Sequence, residues 1–132
     1  MDLVNVKHEG GLCFSVNVRN HRFLVDMAED EGGSDKGPSP AEILVAAFGS
    51  CVGAHIARYC QTAKIPHEGM ELNLTFQTTK EGTRIRISNL VGDISLPQDP
   101  GPRSKAVMSA GENCIIRNTL ARGPEIDLDL DI

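Results

Sequence analysis

Apolar and polar residues alternate with a period of two along several short segments of the chain, which predicts β-strands. The predicted strands are Leu3–Val6, Cys13–Val18, His21–Met27, Glu71–Thr79, Thr83–Leu96 and Glu125–Ile132. The apolar positions change phase inside Thr83–Leu96, so a β-bulge is predicted near residues 89–92. The acidic, Gly-rich stretch between the third strand and residue 39 is predicted to be a loop.

The longest apolar segment predicts a helix over residues 40–64. Ser39 suits the N-cap, Pro40 would take the first helical position, and Glu42 stands three residues after the cap, which is the pattern of a capping box. Residues 43–54 are apolar on every face of this helix. We therefore expect the helix to be buried all round.

A second helix is predicted over residues 104–122, with Gly123 as its stop signal. Its inward side is predicted to carry Val107, Met108, Cys114 and Ile115. The order of elements, β-β-β-α-β-β-α-β, indicates an α+β fold with antiparallel sheet. A length of 132 residues suits one domain, covering residues 1–132.

One small sheet cannot cover a helix that is apolar on all sides, so the sequence predicts that a second subunit covers part of it. Gly49 and Gly53 lie four residues apart on one face of the helix. Small residues at this spacing allow a helix of another subunit to approach closely. Alternatively, they make room for a strand or for the second helix of the same chain.

Composition and charge exclude several classes of partner. Lys plus Arg number 13 and Asp plus Glu number 18, for a net charge of −5, which disfavours nucleic-acid binding. The longest run without a charged residue or His is 43–54, well short of the roughly 20 apolar residues of a membrane helix. The first ten residues lack the features of a secretory signal. We therefore expect a cytoplasmic protein whose four cysteines are reduced at rest.

Cys51 is the first candidate for chemistry, in the middle of the predicted central helix. His55 and Arg58 follow it at i+4 and i+7 on the same face, and a nearby cation would favour the thiolate. Each residue also has an ordinary interpretation. A free Cys often packs in a core without a chemical role, His55 would be a core histidine, and Arg58 would be a solvent-exposed helix end.

Cys114, on the second helix, is the second candidate. Two cysteines form a disulfide only when their α-carbons come within about 7 Å, a distance that sequence alone leaves open. Cys60 lies on the opposite face of the central helix from Cys51, and Cys13 is interpreted as a packing residue in a strand. Together Cys51, His55 and Cys114 would supply only three metal ligands, without the paired-cysteine spacing of zinc sites, so no metal is expected. No cofactor-binding motif occurs in the sequence.

Two segments resemble the OsmC/Ohr family, the osmotically inducible and organic hydroperoxide resistance proteins. Residues 37–47, GPSPAEILVAA, followed by Cys51, resemble the family's central-helix motif. Residues 112–120, with Cys114 near their start, resemble its second cysteine segment. The two cysteines are 63 residues apart (114 − 51), which also fits the family. The resemblance extends over essentially the whole chain.

The resemblance implies an intertwined homodimer in which antiparallel sheet wraps around long central helices, with active sites at the subunit interface. It implies thiol-dependent reduction of organic hydroperoxides, with Cys51 as the peroxidatic residue and Cys114 as the resolving one. The two would form an intramolecular disulfide that a dithiol then reduces. Neither a metal nor an organic cofactor is implied.

The sequence also departs from the family pattern. Well-studied members hold the thiolate with an arginine from the early strands and a glutamate ten residues before the cysteine, where this chain has Ala41. The candidates for tuning the thiolate in this chain are Arg19 and Arg22, the only arginines before the central helix, together with Glu42 and His55. Ile115 stands where the family usually has Pro. These departures keep a second interpretation open, a non-enzymatic redox-sensing or ligand-binding protein on the same scaffold, and a purely structural role for both cysteines is a third.

Overall fold

The computed structural model describes residues 2–131 and contains five strands and three α-helices in that range. In chain order these are β1 (Asn5–Gly10), β2 (Cys13–Val18), β3 (His21–Val25), α1 (Pro40–Ala63), β4 (Glu71–Glu81), β5 (Arg84–Ser95), α2 (Ser104–Glu112) and α3 (Ile115–Ala121). Both sheets are antiparallel, which confirms the predicted α+β class. The chain divides into two compact units at Val45 and Ala46. The assignment of residues 1–132 to one domain stays a prediction.

The first unit contains the three-stranded sheet β1-β2-β3. A two-residue turn joins β2 to β3, and Arg19 adopts a left-handed conformation there, with φ of 51°. Pairing with β2 sets the bounds of β1: the register starts at Asn5, opposite Asn17, and ends at Gly10. The first strand therefore begins two residues later than predicted and ends four residues later.

Asp26 ends β3 two residues before the predicted boundary, because its side chain organises the following loop. The carboxylate is only 1% exposed and accepts hydrogen bonds from the backbone N–H groups of Met27 (2.8 Å), Lys36 (3.1 Å) and Ser34 (3.3 Å). Burial raises the pKa of this carboxyl, but the three N–H donors outweigh burial and hold it below its usual value. The loop that leads into α1 is thus folded around a buried charge.

The N-terminus of α1 forms the predicted capping box. The backbone N–H of Ser39 donates to Glu42 Oε1 (2.8 Å), and the N–H of Glu42 donates to Ser39 Oγ (3.2 Å). Since both interactions satisfy donors that an uncapped helix leaves free, they fix the start of α1 at Pro40.

The second unit contains the β4–β5 hairpin and a buried apolar cluster. Gln77 pairs with Asn89 and Thr78 with Ile87, so Ser88 is the extra residue of a β-bulge. The bulge lies one residue before the predicted range of 89–92. Its Ser88 hydroxyl accepts a hydrogen bond from Thr79 Oγ1 (2.7 Å), which ties the bulged residue to the opposite strand.

The buried cluster contains residues from α1, from the segment after it, from α2 and from the start of α3: Val52, Ile56, Cys60, Ile65, Val107 and Cys114. Gly49 and Gly53 bring α1 close to β4. A Cβ on Gly49 would lie 2.5 Å from Leu74 Cδ1, and one on Gly53 would lie 3.2 Å from Leu72 Cδ1. The glycines therefore accommodate a strand of the same chain, which was one of the two interpretations of their spacing.

The prediction that α1 is buried all round is not met by the single chain. Ser50, Ala54 and Arg58 are exposed on the side away from the buried cluster. By length and composition alone, α1 is apolar enough to cross a membrane, with a mean hydropathy of 1.4 over 18 residues, a criterion that core helices of globular proteins also meet. Only 28% of that window is buried.

The predicted helix over 104–122 is broken. It forms two helices, α2 and α3, separated at Asn113 and Cys114. Of its predicted inward residues, Val107 and Cys114 are buried, whereas Met108 and Ile115 are exposed. The break turns the chain, so residues on either side of it no longer share one helical stripe.

The predicted strand at 125–132 does not form within residues 125–131, and residue 132 lies outside the described residues. Ile126, Leu128 and Leu130 are more than three-quarters exposed. A strand needs a neighbour for its backbone hydrogen bonds, and this segment pairs with neither sheet of the described chain.

Candidate functional site

Two free cysteines, Cys51 and Cys114, meet at the buried cluster of the second unit. Cys51 lies in the middle of α1, is partly buried, and packs against this cluster. The side chain of Cys114 belongs to the cluster and is 0% exposed. The structure thus brings together the two cysteines that the sequence singled out.

Cys114 is the N-cap of α3. Its backbone is extended (φ −107°, ψ 128°), and its Sγ accepts a hydrogen bond from the backbone N–H of Arg117 at 3.4 Å. This is the position and the partner that a capping Ser or Asp would have. The break between α2 and α3 therefore points a sulfur atom into the start of α3.

The surroundings of the two thiols shift their pKa values in opposite directions. The Cys114 thiol donates a hydrogen bond to the Cys51 sulfur and lowers the pKa of Cys51, and the backbone N–H groups of Ile116 and Ile115 lower it further against the effect of burial. Burial raises the pKa of Cys114, and the neighbouring Cys51 raises it as well. Cys51 is thus the better thiolate, and Cys114 is the proton-bearing partner.

The other two cysteines lack this arrangement. Cys60 is wholly buried, and burial raises its pKa. Cys13 is buried in β2, as expected of a packing residue. Both side chains are shielded from solvent, and a shielded thiol is a poor nucleophile.

The side chains predicted to tune the thiolate have other surroundings. Arg22 forms an ion pair with Glu9 (3.3 Å), and Glu42 is engaged in the capping box. Arg19 lies in the β2–β3 turn, and His55 is partly buried on α1. Their effect on the thiolate stays a prediction.

Sequence reasoning missed the backbone donors at the start of α3. The signal for a helix start at residue 115 is weak, because Cys is not a usual N-cap and no capping box follows it. One signal for these donors is Ile115, which stands where the family usually has Pro. A Pro there would have no backbone N–H, whereas Ile115 supplies one.

An apolar cavity of about 150 Å³ lies in the same unit. Residues of α1, the hairpin and α2 line it, among them Phe48, Leu72, Leu74 and Met108, and Glu112 and Arg117 add two charges. Neither Cys51 nor Cys114 is among its lining residues, so the cavity is separate from the thiol pair. Within residues 2–131, no group of three or more His, Cys, Asp and Glu side chains is arranged to hold a metal ion.

Comparisons with known proteins agree with this fold. The model of the OsmC-like protein family matches residues 33–129, and no curated protein matches the sequence. A protein from Psychrobacter arcticus 273-4, described in terms of osmotic stress and detoxification, has a similar structure with a TM-score of 0.82. It is 20% identical, over 90% of this chain and 88% of that chain.

Two further structures are similar. An organic hydroperoxide resistance protein OsmC from Legionella pneumophila has a TM-score of 0.69 and 16% identity, over 92% of this chain and 90% of its own. An OsmC-like hydroperoxide resistance protein from Jannaschia sp. CCS1 has a TM-score of 0.61 and 20% identity, over 98% and 91%. Since the family model covers most of the chain, this protein belongs to the OsmC-like family.

Proposed function

We propose that the protein reduces organic hydroperoxides in a thiol-dependent reaction, with Cys51 as the peroxidatic residue and Cys114 as the resolving residue. The observation that carries the proposal is the opposite effect of their surroundings, which lower the pKa of Cys51 and raise that of Cys114. The similarity to two proteins named for hydroperoxide resistance supports the same chemistry.

In the first step the Cys51 thiolate attacks the terminal oxygen of the hydroperoxide ROOH. The O–O bond breaks, Cys51 becomes a sulfenic acid, and the alkoxide takes up a proton and leaves as the alcohol ROH. The sulfur loses two electrons and the peroxide gains them. The Cys114 thiol stands beside the sulfur that reacts and is a ready proton donor.

In the second step the Cys114 sulfur attacks the sulfenic acid of Cys51. The S–O bond breaks, an S–S bond forms, and the departing hydroxide takes up a proton from solvent and leaves as water. A dithiol then reduces the disulfide by two thiol–disulfide exchanges, becomes a disulfide itself, and restores both thiols. The cycle needs neither a metal nor an organic cofactor.

Turnover of tert-butyl hydroperoxide with excess dithiol tests the proposal. The wild-type protein is expected to consume peroxide over many cycles, and Cys51→Ser is expected to consume none. Cys114→Ser keeps a hydroxyl donor beside Cys51 but removes the resolving sulfur, so one peroxide per chain should react before turnover stops. Sustained wild-type rates in Cys114→Ser would contradict the two-cysteine mechanism, and Cys60→Ser is the matched control.

A second candidate function is redox sensing without sustained turnover. The observation that favours it is the engagement of Arg22 with Glu9 and of Glu42 in the capping box, since known reductases of the family place an arginine and a glutamate on the thiolate. Stoichiometric formation of the disulfide with negligible multiple turnover would support this function over the first.

The proposal includes a homodimer with the thiol pairs at or near the subunit interface. Its support is the exposed apolar side of α1, which one chain leaves largely uncovered.

A further inference from the structure

The apolar cavity of the second unit has a buried floor and an open mouth. Its buried lining residues include Gly49 and Val52 of α1 and Gly111 of α2. Gly92 of β5 and Met108 of α2 also line it, and both are exposed. A small molecule can therefore enter from solvent between the hairpin and α2.

One wall of the cavity contains a glycine that the fold of this chain does not require. Leu90, Gly92 and Ile94 share one face of β5, because side chains alternate between the faces of a strand, and all three line the cavity. The φ of Gly92 lies outside the left-handed region, and a Cβ there would meet only Leu74, at an ordinary contact distance of 3.6 Å. A glycine inside a strand weakens the strand and often marks the close approach of a ligand.

The lining of the cavity favours an apolar occupant over water. Its side chains are apolar apart from those of Glu112 and Arg117, and both of these residues are exposed. A buried water needs two to four polar partners, and no polar side chain lies in the buried part of the lining. The volume is about 150 Å³. An engineered apolar cavity of this size in another protein stays dry and binds benzene.

We propose that this cavity is a binding site, separate from the thiol pair, for a compact apolar molecule about the size of a benzene ring. Neither cysteine lines the cavity. Val52 borders both places, since it lines the cavity and packs in the buried cluster that contains Cys114. The inference goes beyond the proposed function and does not rest on it, because binding here involves no sulfur chemistry.

Thermal unfolding with and without benzene tests the site. A ligand that binds only the folded state stabilises it, so benzene near saturation should raise the Tm of the wild type by about 3 °C or more. Gly92→Val places a β-branched side chain in the cavity at a strand position that suits it. Benzene should then raise the Tm by less than half as much. Ser95→Val, on the opposite face of β5, is the matched control and should respond like the wild type.

Nuclear magnetic resonance locates the bound benzene. Nuclear Overhauser effects are expected between benzene protons and the methyl groups of Leu72, Leu74 and Ile94, which line the cavity. They should be absent in Gly92→Val and present in Ser95→Val. Effects that involve only methyl groups elsewhere in the chain would overturn the site.

Two further outcomes decide against the proposal. An unchanged Tm of the wild type, which is expected if a second subunit fills the cavity in solution, overturns the site, and so does a rise that Gly92→Val retains in full. Alkylation of Cys51 by iodoacetamide should proceed at the same rate with and without benzene. Loss of this labelling as benzene saturates would make the cavity part of the thiol site and overturn its separateness.

Discussion

The groups that lower the pKa of Cys51 come from outside α1. The Cys114 thiol and the N–H groups of Ile115 and Ile116 all act on its sulfur, and together they form an anion-stabilising pocket for a thiolate. The thiolate is therefore stabilised by neutral hydrogen-bond donors.

The first prediction concerns these donors. Cys114→Ala removes the thiol donor, so the pKa of Cys51 should rise and its alkylation by iodoacetamide below neutral pH should slow several-fold. Mass-spectrometric mapping measures labelling at each cysteine, with Cys114→Ser, which retains a donor, as the matched control. In the wild type Cys51 should label before Cys60 and Cys13; earlier labelling of either would contradict the assignment of the nucleophile.

Asp26 gives a prediction on pH. Its carboxyl has a lowered pKa in the folded state, so ionised Asp26 stabilises the fold above the unfolded pKa of about 3.9. That contribution is lost as the pH falls through the lower, folded value. Asp26→Asn replaces one acceptor oxygen by a donor and should lower the Tm at neutral pH.

The difference in Tm between Asp26→Asn and the wild type should begin to shrink below about pH 4, where Asp26 becomes protonated in the unfolded chain, and should continue to shrink as the pH falls through the lower pKa of the folded protein. Thermal unfolding followed by circular dichroism at several pH values measures it. Asp30→Asn is the control, because Asp30 is exposed on the same loop. A pH-independent difference would show that the charge of Asp26 does not matter.

The elements of this chain show where sequence patterns are informative. The start of α1 was predictable, because Ser39 and Glu42 satisfy backbone donors locally and no distant residue is needed. The break at Cys114 was not, since it depends on a sulfur acting as a cap and on packing against α1. The meeting of Cys51 and Cys114 likewise depends on tertiary packing, so sequence named the residues and left their distance open.

The close approach of α1 to β4 yields a prediction on stability. Gly49→Ala gains helix propensity of about 1 kcal/mol, but its Cβ would lie 2.5 Å from Leu74 Cδ1, and overpacking costs about 1–3 kcal/mol. The net effect should be a loss of up to about 2 kcal/mol in the free energy of unfolding. Urea denaturation measures it.

Gly123→Ala is the matched control, because a Cβ there would meet no atom within 4 Å. Its free energy of unfolding should stay near that of the wild type. A clear gain in stability in Gly49→Ala would mean that Leu74 moves aside at no cost, and that the close contact does not hold α1 against the hairpin.

At the scale of the whole molecule, the single chain leaves apolar surface without cover. The exposed side of α1 carries small residues, Ala46, Ser50 and Ala54, and the segment 125–131 exposes three large apolar side chains. Extended patches of this kind mark interaction surfaces in soluble proteins. The closing strand predicted from the sequence is a segment that lacks a partner in one chain, which is what an intertwined dimer would supply.

The last prediction tests that dimer through α1. In a two-fold dimer, the exposed sides of the two central helices would be in contact. Ala54→Glu would then bury two carboxylates without partners in the interface. Their desolvation should cost more free energy than the contact between small residues contributes to dimer stability. Light scattering after size exclusion should give about 28 kDa for the wild type, twice the 14.2 kDa of one chain, and a mass near 14 kDa for Ala54→Glu. Ser109→Glu, exposed on α2, adds the same charge and should remain dimeric. A wild-type mass of one chain at micromolar concentration would reject the dimer, and an unchanged mass in Ala54→Glu would move the interface away from this side of α1.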